Sequence, residues 1–235
     1  MADALKITFR CPPELDGVIP PPVPGKRGLP DWLRDMPMTA PSVDFGTDVD
    51  TVKQCPPFID AMTAGFLMPL MADLHVDNGR FSWDWDPPPA TIDVYTRSPL
   101  AFHVADQLKG TPFFDADRYA VKFINFWVME TPPGWGVLCT HPVNRPDLPF
   151  RTVTGLVHAD NYPNFVHFPA LWTDAGFSGV LKRGTPVAQC YPVPLAALEL
   201  ETAPMSDAAA EALREAKASL RDKDAAYRRQ FRHKD

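Results

Sequence analysis

The residues of this 235-residue chain best able to do chemistry crowd into positions 122–194. Three segments make up the cluster: KFINFWVMETPPGWGVLCTHPVNRPDLPF (122–150), GLVHADNYPNFVHFPALW (155–172) and GVLKRGTPVAQCYPVP (179–194). Within them, His158 and Asp160 are two positions apart, and on a strand such residues share a face. A carboxylate beside an imidazole can fix its tautomer, which makes His158 the acid/base candidate and Asp160 its orienter. The same His-x-Asp pair with one further histidine suits non-haem Fe(II), and His141, His167, His103 and His75 are the available third ligands. A plainer reading has Asp160 simply hydrogen-bonding His158 at a strand end. Cys139, two residues before His141, leaves a Cys–His nucleophile open as well.

Polar groups inside apolar segments need partners, so Asn125, Asn144 and Arg145 either fix turns or face a pocket. Asn144-Arg145-Pro146-Asp147 is turn chemistry first, because Asn and Asp bond locally to backbone. Its functional alternative is an Arg145 fork that holds a carboxylate or phosphate. The functional expectation is a small-ligand pocket lined by Asn125, Trp127, Asn144, Arg145, His158, Asp160 and Tyr162. No GxxxxGK[ST], GxGxxG, HExxH or GxSxG stretch occurs. A non-enzymatic interaction protein, built on aromatic strands and a C-terminal helix, is the competing reading. Cofactors stay undetermined.

The elements that must position these groups are short. Proline numbers 28 of 235, about 12%, against a usual share of roughly 5%. Each proline removes an amide donor and fixes φ, which excludes long helices from most of the chain. Residues 11–57 read as a Pro-rich, extended N-terminal wrap with one short amphipathic piece at Trp32-Leu33-Arg34, able to bury Trp32. A short helix is predicted over 57–65, with proline at its start and Gly65 as its stop. Strands follow at 66–73 and 80–85, with Asp77-Asn78-Gly79 as the turn between them. Further short apolar segments at 92–95, 119–129, 136–140, 153–157, 166–168, 179–181 and 187–191 suit a sandwich or barrel.

After Pro204 the chain holds neither Pro nor Gly. Ser206 is a natural N-cap, and Ala209, Leu213, Ala216, Leu220, Tyr227 and Phe231 form one stripe, so a helix over about 206–231 is expected. The fold class expected is therefore mainly β, a distorted barrel or sandwich of short strands. The division is one β-rich domain over 1–204 and an amphipathic helix over 205–235.

Composition sets the partners. The net charge is −6, with 45% hydrophobic and 22% charged residues, which is globular and argues against a nucleic-acid-coating surface. Residues 205–235 carry eight basic and six acidic side chains, leaving −8 on residues 1–204, so the helix has a favourable sign for docking on the body or a second subunit. No apolar segment reaches the length of a leader or membrane span, and 64–72 is broken by Pro69. The reading is a cytoplasmic protein with no membrane partner. Cys11, Cys55, Cys139 and Cys190 lack C-x-x-C spacing and read as free thiols.

Two resemblances attach to these residues. Cys55-Pro-Pro-Phe-Ile-Asp-Ala-Met, Lys122-Phe-Ile-Asn-Phe-Trp, Thr131-Pro-Pro-Gly-Trp, His141-Pro-Val-Asn-Arg-Pro-Asp-Leu-Pro-Phe and Lys182-Arg-Gly-Thr-Pro-Val-Ala-Gln resemble an uncharacterised family of bacterial and phage proteins, a domain of unknown function. Over residues 131–191, Pro-Pro-Gly-Trp, Gly155-Leu-Val-His-Ala-Asp-Asn-Tyr and Gly179-Val-Leu-Lys-Arg-Gly-Thr-Pro-Val-Ala-Gln are similar to the dUTPase and dCTP deaminase superfamily. That resemblance implies a β-clip fold, a nucleotide-sized ligand and a homo-oligomer with sites between subunits. It also shows departures. His158 stands where those enzymes carry a water-orienting Asp, while Asp160 matches their second Asp and Asn161 is an extra residue. His141-Pro-Val-Asn-Arg replaces an Arg-Ser-Ser phosphate motif, Thr185 replaces an Asp, and the Gly-rich C-terminal arm is missing. The superfamily's catalytic residues are thus largely absent.

Overall fold

Proline and glycine cut the chain into strands of two to nine residues, and these assemble into open antiparallel sheets. The computed structural model describes residues 4–89, 96–113 and 120–221. The described parts of Met1–Arg34 and Ala61–Leu195 form one compact unit, and those of Asp35–Asp60 and Ala196–Asp235 form a second.

Numbered in chain order, the first unit's largest sheet runs β13 (Gly155–Val157), β11 (Trp135–Thr140), β16 (Pro186–Pro194), β5 (Phe66–Pro69), β2 (Val23–Pro24). Beside it in sequence is a four-stranded sheet ordered β12 (Phe150–Thr152), β14 (Phe168–Trp172), β9 (Ala120–Phe123), β8 (Leu100–His103). A third sheet joins β15 (Gly179–Leu181), β6 (Leu74–Asp77) and β7 (Arg80–Ser82), and β1 (Thr8–Arg10) pairs with β10 (Val128–Glu130). All four contribute to one hydrophobic core. Aromatic rings knit it: Phe123 meets Phe150 edge-on at 4.6 Å, and Phe81 meets Trp172 at 4.9 Å. Such contacts add to plain area burial.

The expected mainly β architecture of short strands is what forms. Among the described residues the sheets stay open rather than closing into a barrel. Prolines inside β16 explain part of this. Gln189 O accepts from Thr140 Oγ1 and Leu195 N bonds to Gly134 O, so odd-numbered residues of β16 turn their amides toward β11. Pro192 and Pro194 face the other side, where pairing with β5 has ended at Cys190–Phe66. A missing N–H is harmless at such a local edge.

Several elements differ from their sequence expectation. The Asn78-Gly79 turn is present with φ of 47° and 73°, as a tight hairpin requires. It joins β6 to β7, whereas Phe66–Pro69 is a fully buried central strand between β16 and β2. The expected strand at 92–95 lies outside the described residues. In the N-terminal wrap it is Leu33 that is buried, on α1 (Asp31–Asp35), while Trp32 remains 38% exposed. The helix α2 (Pro56–Thr63) forms and ends at Gly65, whose φ is +64°.

In the second unit β3 (Thr39–Ser42) and β4 (Thr47–Asp50) pair as a hairpin, and α3 (Asp207–Arg221) is capped by Ser206 Oγ on Ala209 N at 3.2 Å. Of the expected apolar stripe, Leu213 is exposed, and Tyr227 and Phe231 lie outside the described residues. No described helix is long and apolar enough to cross a membrane.

A Cβ on Gly65 would collide with the carbonyl oxygen of Cys190, in a backbone conformation that L-residues disfavour. Gly65→Ala is expected to cost at least about 2 kcal/mol. Gly155→Ala, with nothing within 4 Å of the added carbon, should stay within about 0.5 kcal/mol of wild type. Urea unfolding of both variants checks the contrast.

Candidate functional site

A concave feature sits on the loop between β11 and β12. Its backbone is held by side chains rather than by a ladder. His141 Nδ1 accepts from Thr152 N at 3.2 Å, and its Nε2–H donates to Arg145 O at 3.1 Å. The Val143 amide donates to Gln189 Oε1 at 3.1 Å. Asn144 adopts φ of 55°, the left-handed conformation Asn tolerates. Arg145 then turns its fork onto Asp147, Nε to Oδ1 and Nη2 to Oδ2, both at 2.8 Å.

Around this loop is a cavity of about 530 Å³. His141, Asn144, Arg145, Arg151 and Thr173 supply its polar lining, and Pro146, Leu148 and Phe150 its apolar lining. The Arg145 side chain is only 12% exposed. Its bonds use Nε and Nη2, leaving Nη1 without a partner among the described residues. Arg151 makes no ion pair among them, and it projects from a strand whose flanking Phe150 and Thr152 are buried.

Electrostatics follow from this packing. Burial pushes the Asp147 carboxyl up, but the Arg145 hydrogen bonds and charge outweigh it and hold the group below the usual carboxylate range. For His141, burial depresses the pKa; the nearby Arg151 and Arg145 charges add to that, against a smaller opposing pull from the Arg145 carbonyl and Asp147. Neutral, with both ring nitrogens engaged by backbone, His141 is a clamp and not a proton carrier. The Cys139–His141 nucleophile is therefore not assembled, since the Cys139 thiol bonds to Val137 O at 3.9 Å.

Of the seven residues expected to share a pocket, the cavity gathers Asn144 and Arg145. Asn125 is buried as a structural bridge: its Nδ2 donates to Trp127 O at 2.7 Å and Val166 O at 3.0 Å, and its Oδ1 accepts from Trp127 N at 3.0 Å. Trp127 Nε1 donates to Pro20 O at 3.0 Å. His158 and Asp160 lie past the end of β13, in a turn closed by Asn161 N on His158 O at 3.0 Å. Strand alternation therefore does not apply, and the pair is not hydrogen-bonded. Asp160 Oδ2 instead accepts from Gly134 N at 2.9 Å, while His158 and Tyr162 are exposed.

Among the described residues the Fe(II) reading finds no third ligand grouped with His158 and Asp160, the candidate His75 standing exposed on β6. His141 is a clamp, His103 Nδ1 bonds to Gln107 at 2.9 Å, and His167 Nδ1 accepts from Asn125 N at 3.2 Å. Among the described residues no group of three His, Cys, Asp or Glu could hold a metal ion. Sequence reasoning missed Arg151 and Gln189. Arg151 had a signal, as the one charged residue in Phe150-Arg151-Thr152.

No family model and no curated protein matches the sequence. Among solved structures, similarity reaches a dUTPase variant of Staphylococcus bacteriophage 80alpha with dUpNHpp, at 12% identity and a TM-score of 0.28, over 46% of this chain and 89% of that one. A second is a dUTPase variant from phage phi11 of S. aureus, at 14% identity and 0.28, over 47% and 99%. The likeness is weak and partial, and the chemistry of the site rests on its own residues.

His141 and His167 both have pKa values depressed chiefly by burial. The unfolded chain takes up their protons near pH 6.5, while the folded chain resists. Their contribution is fully present above that pH and is lost as pH falls from there through the lower folded-state values. The urea midpoint should drop between pH 7.5 and 5.5, and less steeply in a His141→Gln/His167→Gln double variant. Parallel profiles for the two proteins would contradict this.

Proposed function

We propose that the cavity at the β11–β12 loop binds a small organic anion, a ligand with a phosphate or carboxylate and an apolar portion, of nucleotide size or less. One observation carries the reading: two guanidinium groups meet on one concave surface, one pinned and one free. Arg145 is oriented by Asp147 and by the backbone that His141 clamps, so little ordering is left to do when an anion meets its free Nη1. Arg151 supplies the uncompensated charge. A fork of this kind matches carboxylate and phosphate oxygens, and Phe150, Leu148 and Pro146 offer an apolar surface to the rest of the ligand. The reading is of binding, because no group here is free to move a proton.

A panel of inorganic phosphate, phosphate monoesters, nucleotides and di- and tricarboxylates, read by thermal shift, tests it. At 100 times its dissociation constant a ligand adds about 2.7 kcal/mol, or about 5–10 °C for a chain of this size. Arg151→Gln should weaken binding at least tenfold without lowering the unliganded midpoint. His158→Ala, outside the cavity, should bind as wild type. A panel without a shift, or an Arg151→Gln protein that binds normally, sinks the reading.

A second reading, self-association, has its own observation. Val43, Phe45, Leu198, Leu200 and Met205 are 99, 77, 82, 82 and 65% exposed, and all belong to the second unit. Exposed apolar groups at this density mark contact surfaces. Light scattering should give two or more times 26.1 kDa, with the mass falling in Phe45→Asp. A mass that stays at the single-chain value across concentrations rejects it.

A further inference from the structure

We propose that Cys139 and Cys190 are a disulfide site, joined across β11 and β16 when the chain folds under oxidising conditions. The inference is independent of the ligand reading. The two residues are direct partners in the antiparallel register. They are 4% and 0% exposed and belong to the same core cluster, so both side chains lie on one face of the sheet.

The kind of pair matters. Antiparallel partners alternate between hydrogen-bonded and non-hydrogen-bonded sites, and the latter bring Cα atoms to about 4.5 Å. Pro192 opposite Val137 and Pro194 opposite Trp135 have no amide to give, so those are non-hydrogen-bonded sites. Cys190, two residues before Pro192, falls in the same class. The Thr140 hydroxyl on Gln189 O confirms that the adjacent position, not Cys190, faces its backbone toward β11. A separation of about 4.5 Å is inside the roughly 4.4–6.8 Å that a disulfide spans, so closure needs no rearrangement of the strands.

In the reduced fold the pair is protected. Burial, and then the neighbouring Cys139 thiol, push the Cys190 thiol well above its ordinary range, and a protonated thiol is a poor nucleophile. Exchange therefore belongs to folding, when the thiols are still wet. The step is thiol–disulfide exchange with a low-molecular-weight disulfide. One cysteine thiolate displaces a thiol from the reagent to give a mixed disulfide, and the second displaces the other. Two S–H bonds are lost, one S–S bond forms, and the reagent is reduced to two thiols. The linkage would close a 51-residue loop. It would also fix the strands next to Thr140 and Gln189, where the cavity loop is anchored.

The full chain is refolded from urea in an oxidised/reduced glutathione buffer or in dithiothreitol, alkylated and mapped by mass spectrometry without reduction. A Cys139–Cys190 linked peptide should dominate, and the thermal midpoint should exceed the reduced form's by about 5–10 °C. Dithiothreitol added to the unfolded state, and Cys139→Ala, should each abolish both effects. If refolding yield is low, protein exported to an oxidising compartment gives the same map. Buried thiols that stay free, carry glutathione, or link to Cys11 or Cys55 overturn the proposal. So does a linked form that melts below the reduced one.

Discussion

A buried primary amide ties the first unit together. Gln189, 2% exposed on the central strand β16, donates through Nε2 to the carbonyls of Ala61, Met62 and Ala64 at 2.9, 3.4 and 3.0 Å, and accepts the Val143 amide on Oε1. The carbonyls at the end of a helix have no partner within it, and those of α2 find one in this side chain. The same residue holds the loop that carries Arg145. An apolar side chain here would strand the Met62 and Ala64 carbonyls and the Val143 amide, at roughly 1–3 kcal/mol each, and leave Ala61 O only the Tyr191 hydroxyl. One amide thus connects the helix end, the central sheet and the cavity.

The cavity shows how a mainly β unit builds a cationic site from an acidic chain. Asp147 neutralises most of Arg145 and aims it, so that guanidinium is a shaped donor more than a charge. The charge itself comes from Arg151, held at the surface by a strand too short to do anything but alternate. Separating direction from charge keeps the desolvation cost of the buried guanidinium low.

Legibility in the sequence tracked how local the cause was. Gly65, Asn78-Gly79 and Ser206 act within a few residues of themselves, and each sits where its chemistry placed it. The mainly β class followed likewise from proline spacing. His158 and Asp160 failed because their shared face required the strand to continue, and β13 stops at Val157. Asn125 looked like a ligand group because its partners, Val166 and Trp127, meet it only in the fold. Gln189 depends on pairings 46 to 128 residues away, and Arg151 is placed by a strand partner at Leu171, neither of which a short window contains.

The same pairings bear on how the chain is made. Strand β5, buried at all four positions, has its main partner β16 about 120 residues downstream. At about 5–20 residues per second, a ribosome takes roughly 6–24 s to deliver that partner. During this interval Phe66, Leu67 and Met68 have only the two-residue β2 and Phe9 upstream to meet, and the edge that β16 will cover stays open. The second unit waits longer still, since Asp35–Asp60 must await Ala196 and beyond. Nascent-chain protection, by a holding chaperone or by the exit tunnel itself, is thus a demand built into this strand order.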